Sequence, residues 1–590
     1  MAHTSSIITL DNLDDLPPWV PDAASHLFAI VDMGSNGIRF TITDMTPPNS
    51  RLLRCIFRER ADISLYDALN ANADRAPGAP LSFPPETIVQ VSETLARFRR
   101  IANSYGVPEA NFSVLATEAM RRAANAADML GAIRQSSGLD VRILAPAVET
   151  LFGAVMGSRS AFVNIDRGGL FLDMGGGSVQ MTWVDTRLPS YEIAAAAAGE
   201  SMPFGAARLI RVLEAEPAEV RTSETGKLRQ TMQAAFARLC DTFPGCRGRA
   251  DSSEGLDVFM CGGGLRGYGC ILQHCDRIQP YPIASVGTYT VTGGFFKQTA
   301  KMRKVNDEYD GKIYGMSKRR RQQFPAIAEV VEAFIKAVPN IRTVTFCAGS
   351  NRDGTLYMKL PEKIRESNPL EVLAGVASED LPIAHAVLDM LRSAVPPAVE
   401  IGTIPSIFSL GLGLLFVRQI WMHQGEDEDA NASFALHQAI ARDPGAPGLT
   451  HIARSILALA VCSRWGANLG PVDTELHHNL KRLLGDIDSE APFWADYLGA
   501  AAAVLADIVP AWPRSLDTMT TNLRFEATAD KTKKERDRIT LTVFVSADAA
   551  KGIDAETVKE RFANVGRMKG EKKPCKKVKV HIEVMNQDKP

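Results

Sequence analysis

The stretch "GGLFLDMGGGSVQMTWVD", residues 168–185, ends an apolar run on an aspartate, follows it with methionine and three glycines, and then resumes a strand-like pattern. An earlier stretch, "FAIVDMGSNGIRFTITD" at 28–44, does nearly the same. Both read as strand, Asp-Met-Gly, small-residue turn, strand. Glycine and serine at a hairpin tip let backbone N–H groups converge with no Cβ in the way, which makes a concavity for phosphate oxygens. Asp32 and Asp173 stand where each strand enters its turn. A carboxylate there could hold Mg²⁺, directly or through its waters, beside the phosphate. One such turn says little, because Asp-Gly turns join many ordinary hairpins. Two of them, one in each half of an α/β region, describe a cleft with a hairpin on either side.

Outward from these turns, strand and helix patterns alternate, which predicts an α/β domain in two copies. The boundaries read as a loose acidic tail at 1–27, a first lobe at 28–157, a second at 158–358, a mainly helical domain at 359–520 and a small basic α/β module at 530–590. The module carries 16 Lys and Arg against 10 Asp and Glu, unlike the rest of the chain. Its basic segment "EKKPCKK" has no interleaved aromatic residue, so nucleic acid is not an expected partner and lysines defending a strand edge explain it better. With 590 residues and a formal net charge of −2, the chain is too long for one core and has no global field toward nucleic acid or membranes. An uncharged run at 401–417 is short for a membrane span and contains Pro405. The N-terminus lacks the basic and apolar segments of a signal peptide. Nine cysteines at irregular spacing, with no CxxC pair, suit a reducing compartment, so a cytoplasmic location is expected. Cys261, Cys270, His274 and Cys275 lack the paired spacing of zinc ligands.

A third glycine site, "VFMCGGGLRGYG", satisfies G-x-G-x-x-G through Gly262, Gly264 and Gly267. A dinucleotide site needs an acid about 20 residues on, and no Asp or Glu lies between Asp276 and Asp307. It therefore reads as a third glycine loop, Gly262, Gly263 and Gly264, in the same cleft.

These residues together carry a resemblance. DMGSN at 32–36, "ATEAMRRA" at 116–123, "VET" at 148–150, DMGGGS at 173–178, CGGG at 261–264 and "SNRDGTLY" at 350–357 resemble the Ppx/GppA phosphatase family of the actin-like ATPase superfamily. Within it the chain is most similar to the fungal retrograde regulation protein 2 branch, whose extended C-terminal region accounts for 360–590. The resemblance implies a two-lobed actin-like (ribonuclease H-like) core. It implies that Gly34, Ser35, Asn36, Gly175, Gly176, Gly177 and Ser178 hold phosphates. Thr117 and Arg121 match a phosphate-facing pair, Asp173 lies near a Mg²⁺, and Glu149 takes the place of the catalytic glutamate that activates water. The implied ligand is ATP, another nucleotide or polyphosphate.

The departures weigh against efficient hydrolysis. Before Glu149 stands "LAPAV" where the family usually has a Ser-Gly turn and a second acid. Gln180 stands where a glutamate usually helps hold the metal, and an amide carries no charge. Leu265 replaces a frequent threonine. No His-Asp dipeptide occurs, so the helical region is expected to pack, dimerise or bind partners rather than hold a second metal. The expectation is a phosphate- or nucleotide-sensing regulator of mitochondria-to-nucleus signalling with protein partners and weak or no hydrolysis. The rival is an active exopolyphosphatase or guanosine pentaphosphate phosphatase with Glu149 as base.

Overall fold

Strand β2, Leu27–Gly34, is buried along almost its whole length, yet its side chains divide by parity as a pleated strand requires. Ala29, Val31 and Met33 join one apolar cluster, with Phe98 and Leu95 of helix Pro85–Ser104 and Ile133 of helix Ala126–Ser137. Phe28 and Ile30 join another, with Phe152, Phe171 and Tyr357. Asp32 shares the parity of Phe28 and Ile30, and so points to the second layer.

The computed structural model describes residues 7–71, 80–162, 165, 167–443, 445–532, 535–551, 553–568 and 574–585. The chain divides into one unit of residues 1–276, 285–367 and 445–448, and a second of 277–284, 368–444 and 449–590.

The first unit is α/β and contains two six-stranded sheets. With β1 (Ile7–Ile8), β3 (Gly37–Asp44), β4 (Arg54–Ala61), β5 (Phe112–Ala116) and β6 (Val141–Leu144), the first sheet has the order β1-β6-β5-β2-β3-β4. With β7 (Gly169–Met174), β8 (Val179–Val184), β9 (Glu200–Met202), β10 (Leu256–Cys261), β11 (Thr290–Thr292) and β12 (Ile341–Phe346), the second has the order β11-β12-β10-β7-β8-β9. In each, an antiparallel hairpin (β2–β3 or β7–β8) adjoins parallel strands (β5 and β6, or β10 and β12). The repetition read from the two Asp-Met-Gly turns is thus a repetition of whole sheets, as in an actin-like core.

Two expectations are corrected here. Residues 7–27 were expected as a loose tail, but β1 pairs with β6, Ile8 and Trp19 are buried, and the Trp19 indole donates to the Met45 carbonyl at 3.0 Å. The acids of "DNLDDL" conceal Leu10, Leu13 and Leu16, which pack on or join the layer between the sheets. The run "AVETLFGAVMG" reads from its pattern as a helix. It begins as Pro146–Glu149 and widens into a π-helical stretch over Thr150–Met156. Such wider turns recur at functional sites.

The second unit is mainly helical. Helix Ala491–Ile508 is buried on nearly every face, as its alanine-rich, almost uncharged sequence demands of a central helix. The C-terminal sheet, β13 (Leu523–Lys531), β14 (Asp537–Val545) and β15 (Lys577–Val584), pairs β14 antiparallel to β13 and parallel to β15. It starts at Leu523, ahead of the expected boundary at 530. Part of "EKKPCKK" lies outside the described residues. Among the described residues no helix is long and apolar enough to cross a membrane.

Candidate functional site

The two hairpins of the first unit differ at their tips. Gly34 pairs with Gly37, leaving Ser35 and Asn36 as the first turn. Met174 pairs with Val179, leaving Gly175 to Ser178 as the second. The tips abut: a Cβ on Gly176 would lie 2.9 Å from both Asn36 Cγ and Ser35 Cβ. Between and beneath them is a cavity of about 90 Å³ lined by both turns, Asp32, Asp173, Thr117 and Glu149. The structure therefore brings the catalytic, metal and phosphate candidates together, with one exception. Arg121 does not line the cavity; it donates to Glu149 Oε2 at 2.9 Å and to the Leu144 carbonyl.

The second turn points its carbonyls one way and its amides the other. The N–H groups of Gly205, Ala206 and Ala207 donate to the carbonyls of Gly177, Gly175 and Gly176 at 3.0, 3.0 and 2.9 Å. The carbonyls thus face the start of helix Ala206–Ala215. The amides of Gly176, Gly177 and Ser178 donate to no group among the described residues. Such unpaired N–H groups at a tight turn attract anions.

The third glycine stretch is not a loop. Gly262, Gly263 and Gly264 form the first turn of helix Gly262–His274, which has no side-chain cap. Its free first-turn amides and the positive end of its dipole face the cavity. Gly262 has φ +84°, and a Cβ there would lie 2.3 Å from Asp173 Oδ1. Only glycine allows both the backbone conformation and the carboxylate beside it.

Charge is concentrated. Burial raises the Asp32 carboxyl above its ordinary range, against the pull of Arg352 and Arg39. Burial raises Asp173 to about 6, with Arg266 opposing and Asp32 adding. It raises Glu149 to about 7, with Arg121 opposing and Asp173 and Asp32 adding. Arg39, Arg266 and Asn351 also line the cavity, and sequence reasoning missed all three. Arg39 stands across the β2–β3 ladder from Asp32, a pairing that counting back from the turn would have shown. Arg266 Nη1 donates to the carbonyls of Cys347, Ala348 and Gly349 and so holds the loop before helix Asn351–Lys359. No sequence signal marked it, since that loop is remote in the chain.

The donor set suits a hard divalent cation. Asp32 Oδ1 and Asn351 Oδ1 are buried without a hydrogen-bond partner. A Cβ at Gly153, in the π-helical stretch, would lie 2.4 Å from Asp173 Oδ2 and 2.7 Å from Asn351 Oδ1, so the missing side chain is what lets these oxygens converge. Among the described residues no three His, Cys, Asp or Glu side chains form a metal cluster. Two carboxylates and an amide oxygen leave the remaining positions to water and phosphate, the manner in which Mg²⁺ is commonly held. Across β7–β8 from Asp173 lies Gln180, whose Nε2 donates to Ser178 Oγ at 2.7 Å and Ser201 Oγ at 3.3 Å.

The model of the Ppx/GppA phosphatase family matches residues 43–363, more than half of the chain. The chain belongs to this family. A second family model, the RTG2 C-terminal domain, matches 368–589. Retrograde regulation protein 2 of Saccharomyces cerevisiae is 30% identical over 518 residues, covering 85% of this chain and 84% of the yeast protein. Among solved structures, an exopolyphosphatase from Cytophaga hutchinsonii is 19% identical and covers 56% of this chain and 97% of its own, at a TM-score of 0.44. The Aquifex aeolicus PPX-GPPA enzyme is 17% identical over 56% of this chain and 98% of its own, at 0.42. As a Ppx/GppA member the chain has its first hairpin tip, Gly34 to Asn36, just ahead of the matched range.

Proposed function

We propose that this protein is a regulator of mitochondria-to-nucleus retrograde signalling. Its Ppx/GppA cleft binds a nucleotide or polyphosphate with Mg²⁺ and hydrolyses it weakly or not at all. The observation that carries the reading is the pair of unlike partners at equivalent positions: Arg39 faces Asp32, and the amide Gln180 faces Asp173. Neither position adds a carboxylate to the metal site, while the turn amides and Arg39 remain available to an anion. The 30% identity to the yeast retrograde regulation protein, along 85% of this chain, supports the regulatory role.

In this reading the amides of Gly176 to Ser178 and the first turn of Gly262–His274 hold phosphate oxygens. Asp32, Asp173 and Asn351 would hold Mg²⁺, which when bound neutralises phosphate charge. Because both tips touch the same small cavity, a ligand bridging them favours the closed arrangement of the lobes by its greater affinity for it. Closure is then the state that protein partners in the cytoplasm read. Helical surfaces of the second unit are the candidates for partner binding or homodimer formation.

A second reading, an active phosphoanhydride hydrolase, is favoured by one observation. Glu149 is a buried carboxylate held by Arg121 and titrating near 7, the range suited to a general base. Phosphate release from polyphosphate and guanosine pentaphosphate, with and without Mg²⁺, separates the readings. Robust Mg²⁺-dependent release that is lost in Glu149→Gln would replace the first by the second.

A further inference from the structure

The second unit contains a cavity of about 520 Å³ that the cleft chemistry does not use. Its size falls within the range of about 300–1,000 Å³ typical of small-molecule sites. It is bordered by helices His451–Arg464, Pro471–Ile487 and Ala491–Ile508, by the C-terminal helix Ala555–Ala563 and by the residues that follow.

The cavity's inner wall is polar where a helical core would ordinarily be apolar. Lys481 Nζ lies 2.6 Å from Asp496 Oδ2, with the two side chains 6% and 7% exposed. The Gly566 amide donates to the same carboxylate oxygen at 3.0 Å, and Lys481 also donates to the Arg567 carbonyl at 3.2 Å. The other oxygen, Asp496 Oδ1, is buried with no hydrogen-bond partner, and so is His477 Nε2. A buried ion pair contributes little stability unless its remaining hydrogen-bonding capacity is met, and partnerless buried polar atoms are costly. Arg561, paired through Nη2 with Asp507 at 3.0 Å, and Arg567 add positive charge to the lining, against Glu560, which is exposed.

We propose that this cavity binds a small hydroxylated anion, a polyol phosphate or a hydroxycarboxylate. Its hydroxyl donates to Asp496 Oδ1, and its charged group lies toward Lys481, Arg561 and Arg567. Asp496 Oδ1 is an acceptor and requires a donor. A neutral hydroxyl suits it better than an ammonium, because Lys481 already neutralises the carboxylate and would repel a second cation. Burial and the neighbouring Lys481 push the His477 imidazole down to about 4, so the ring is neutral near pH 7 and offers one donor and one acceptor, the complement of a hydroxyl.

The test is titration calorimetry on the full chain with ribose 5-phosphate and with tartrate, and with inorganic phosphate and succinate as hydroxyl-free counterparts. Saturable binding of one hydroxylated probe is expected, at least about tenfold tighter than its counterpart, since a site built around a hydroxyl rejects the analogue lacking it. The tighter of the two hydroxylated probes assigns the anionic group. His477→Phe is expected to remove the binding while leaving the melting temperature equal or higher, because a phenyl ring replaces an imidazole whose buried Nε2 has no partner. Arg567→Glu, an exposed change, is expected to weaken binding. Gly176→Val, in the cleft of the first unit, is expected to leave it unchanged. The proposal is overturned if neither hydroxylated probe binds, if the hydroxyl-free probes bind as well, if binding survives His477→Phe and Arg567→Glu, or if Gly176→Val removes it.

Discussion

Arg121, half-buried, and the buried Glu149 form an ion pair beside the cleft, with Arg121 Nη2 donating to Glu149 Oε2 at 2.9 Å. The same guanidinium is anchored on the Leu144 carbonyl, so it positions the glutamate rather than reaching the cavity. Any residual hydrolysis therefore depends on Glu149 as proton acceptor, and Glu149→Gln is expected to lower it by about 10²–10⁴-fold. Binding of ATP, measured by calorimetry, should persist. Equal phosphate release by parent and variant would remove Glu149 from the chemistry.

The pH dependence follows from the same carboxyl. Glu149 binds its proton up to about 7 when folded and gives it up in the ordinary carboxylate range when unfolded. Across that window the folded state holds more protons, so stability attributable to this group falls as pH rises. Melting temperatures of the parent should thus drop relative to Glu149→Gln from the ordinary carboxylate range up to about 7, and the gap should level off above. A gap that does not vary across this window would contradict the burial of an ionisable group there.

Gly176→Val places a side chain where Asn36 and Ser35 already sit, at 2.9 Å from the first added carbon. The expected result is a folded protein whose hairpin tips cannot meet and which no longer binds ATP or short polyphosphate. In the parent, ligand at a hundred times Kd should stabilise by about 2.7 kcal/mol, a shift readily seen on melting. A variant that keeps this shift would place the ligand elsewhere.

Gln180→Glu restores a carboxylate opposite Asp173. The hydroxyls of Ser178 and Ser201, which now accept from the amide, can donate to the new carboxylate, so the change fits the existing hydrogen bonds. Mg²⁺ affinity should rise, read as a larger Mg²⁺-dependent thermal shift, and phosphate release should increase. No change in either would mean that position 180 does not reach the metal.

Arg319 ties helix Lys318–Gln322 to the first hairpin tip, donating to Asn36 Oδ1 at 3.1 Å, and also to Ser64 Oγ at 2.7 Å and Asp67 Oδ2 at 2.7 Å. Arg319→Ala should speed nucleotide release severalfold. The pair with Asp67 is partly exposed, so the effect should shrink in high salt. Stopped-flow displacement of a fluorescent nucleotide at two ionic strengths measures it, and an unchanged release rate would show that this contact does not restrain opening.

The sequence by itself determined the repeated hairpin, the placement of Asp32 and Asp173 at its strand ends and the family, because a strand followed by an Asp-Met-Gly turn is specified by adjacent residues. It also placed Glu149 at the start of a helix. What it could not contain were facts that depend on chain segments meeting from afar. The acidic N-terminal stretch adds a strand to the first sheet only because Ile8 and Trp19 find an apolar layer there. The glycines at 262–264 start a helix rather than a loop, and Gly262 can stand beside Asp173 only because it has no side chain. Gly153 matters only where the π-helical stretch meets Asp173 and Asn351, 20 and 198 residues further along the chain yet converging on one point. Local propensity decides which turn forms; close packing between lobes decides which oxygen and nitrogen atoms that turn will face.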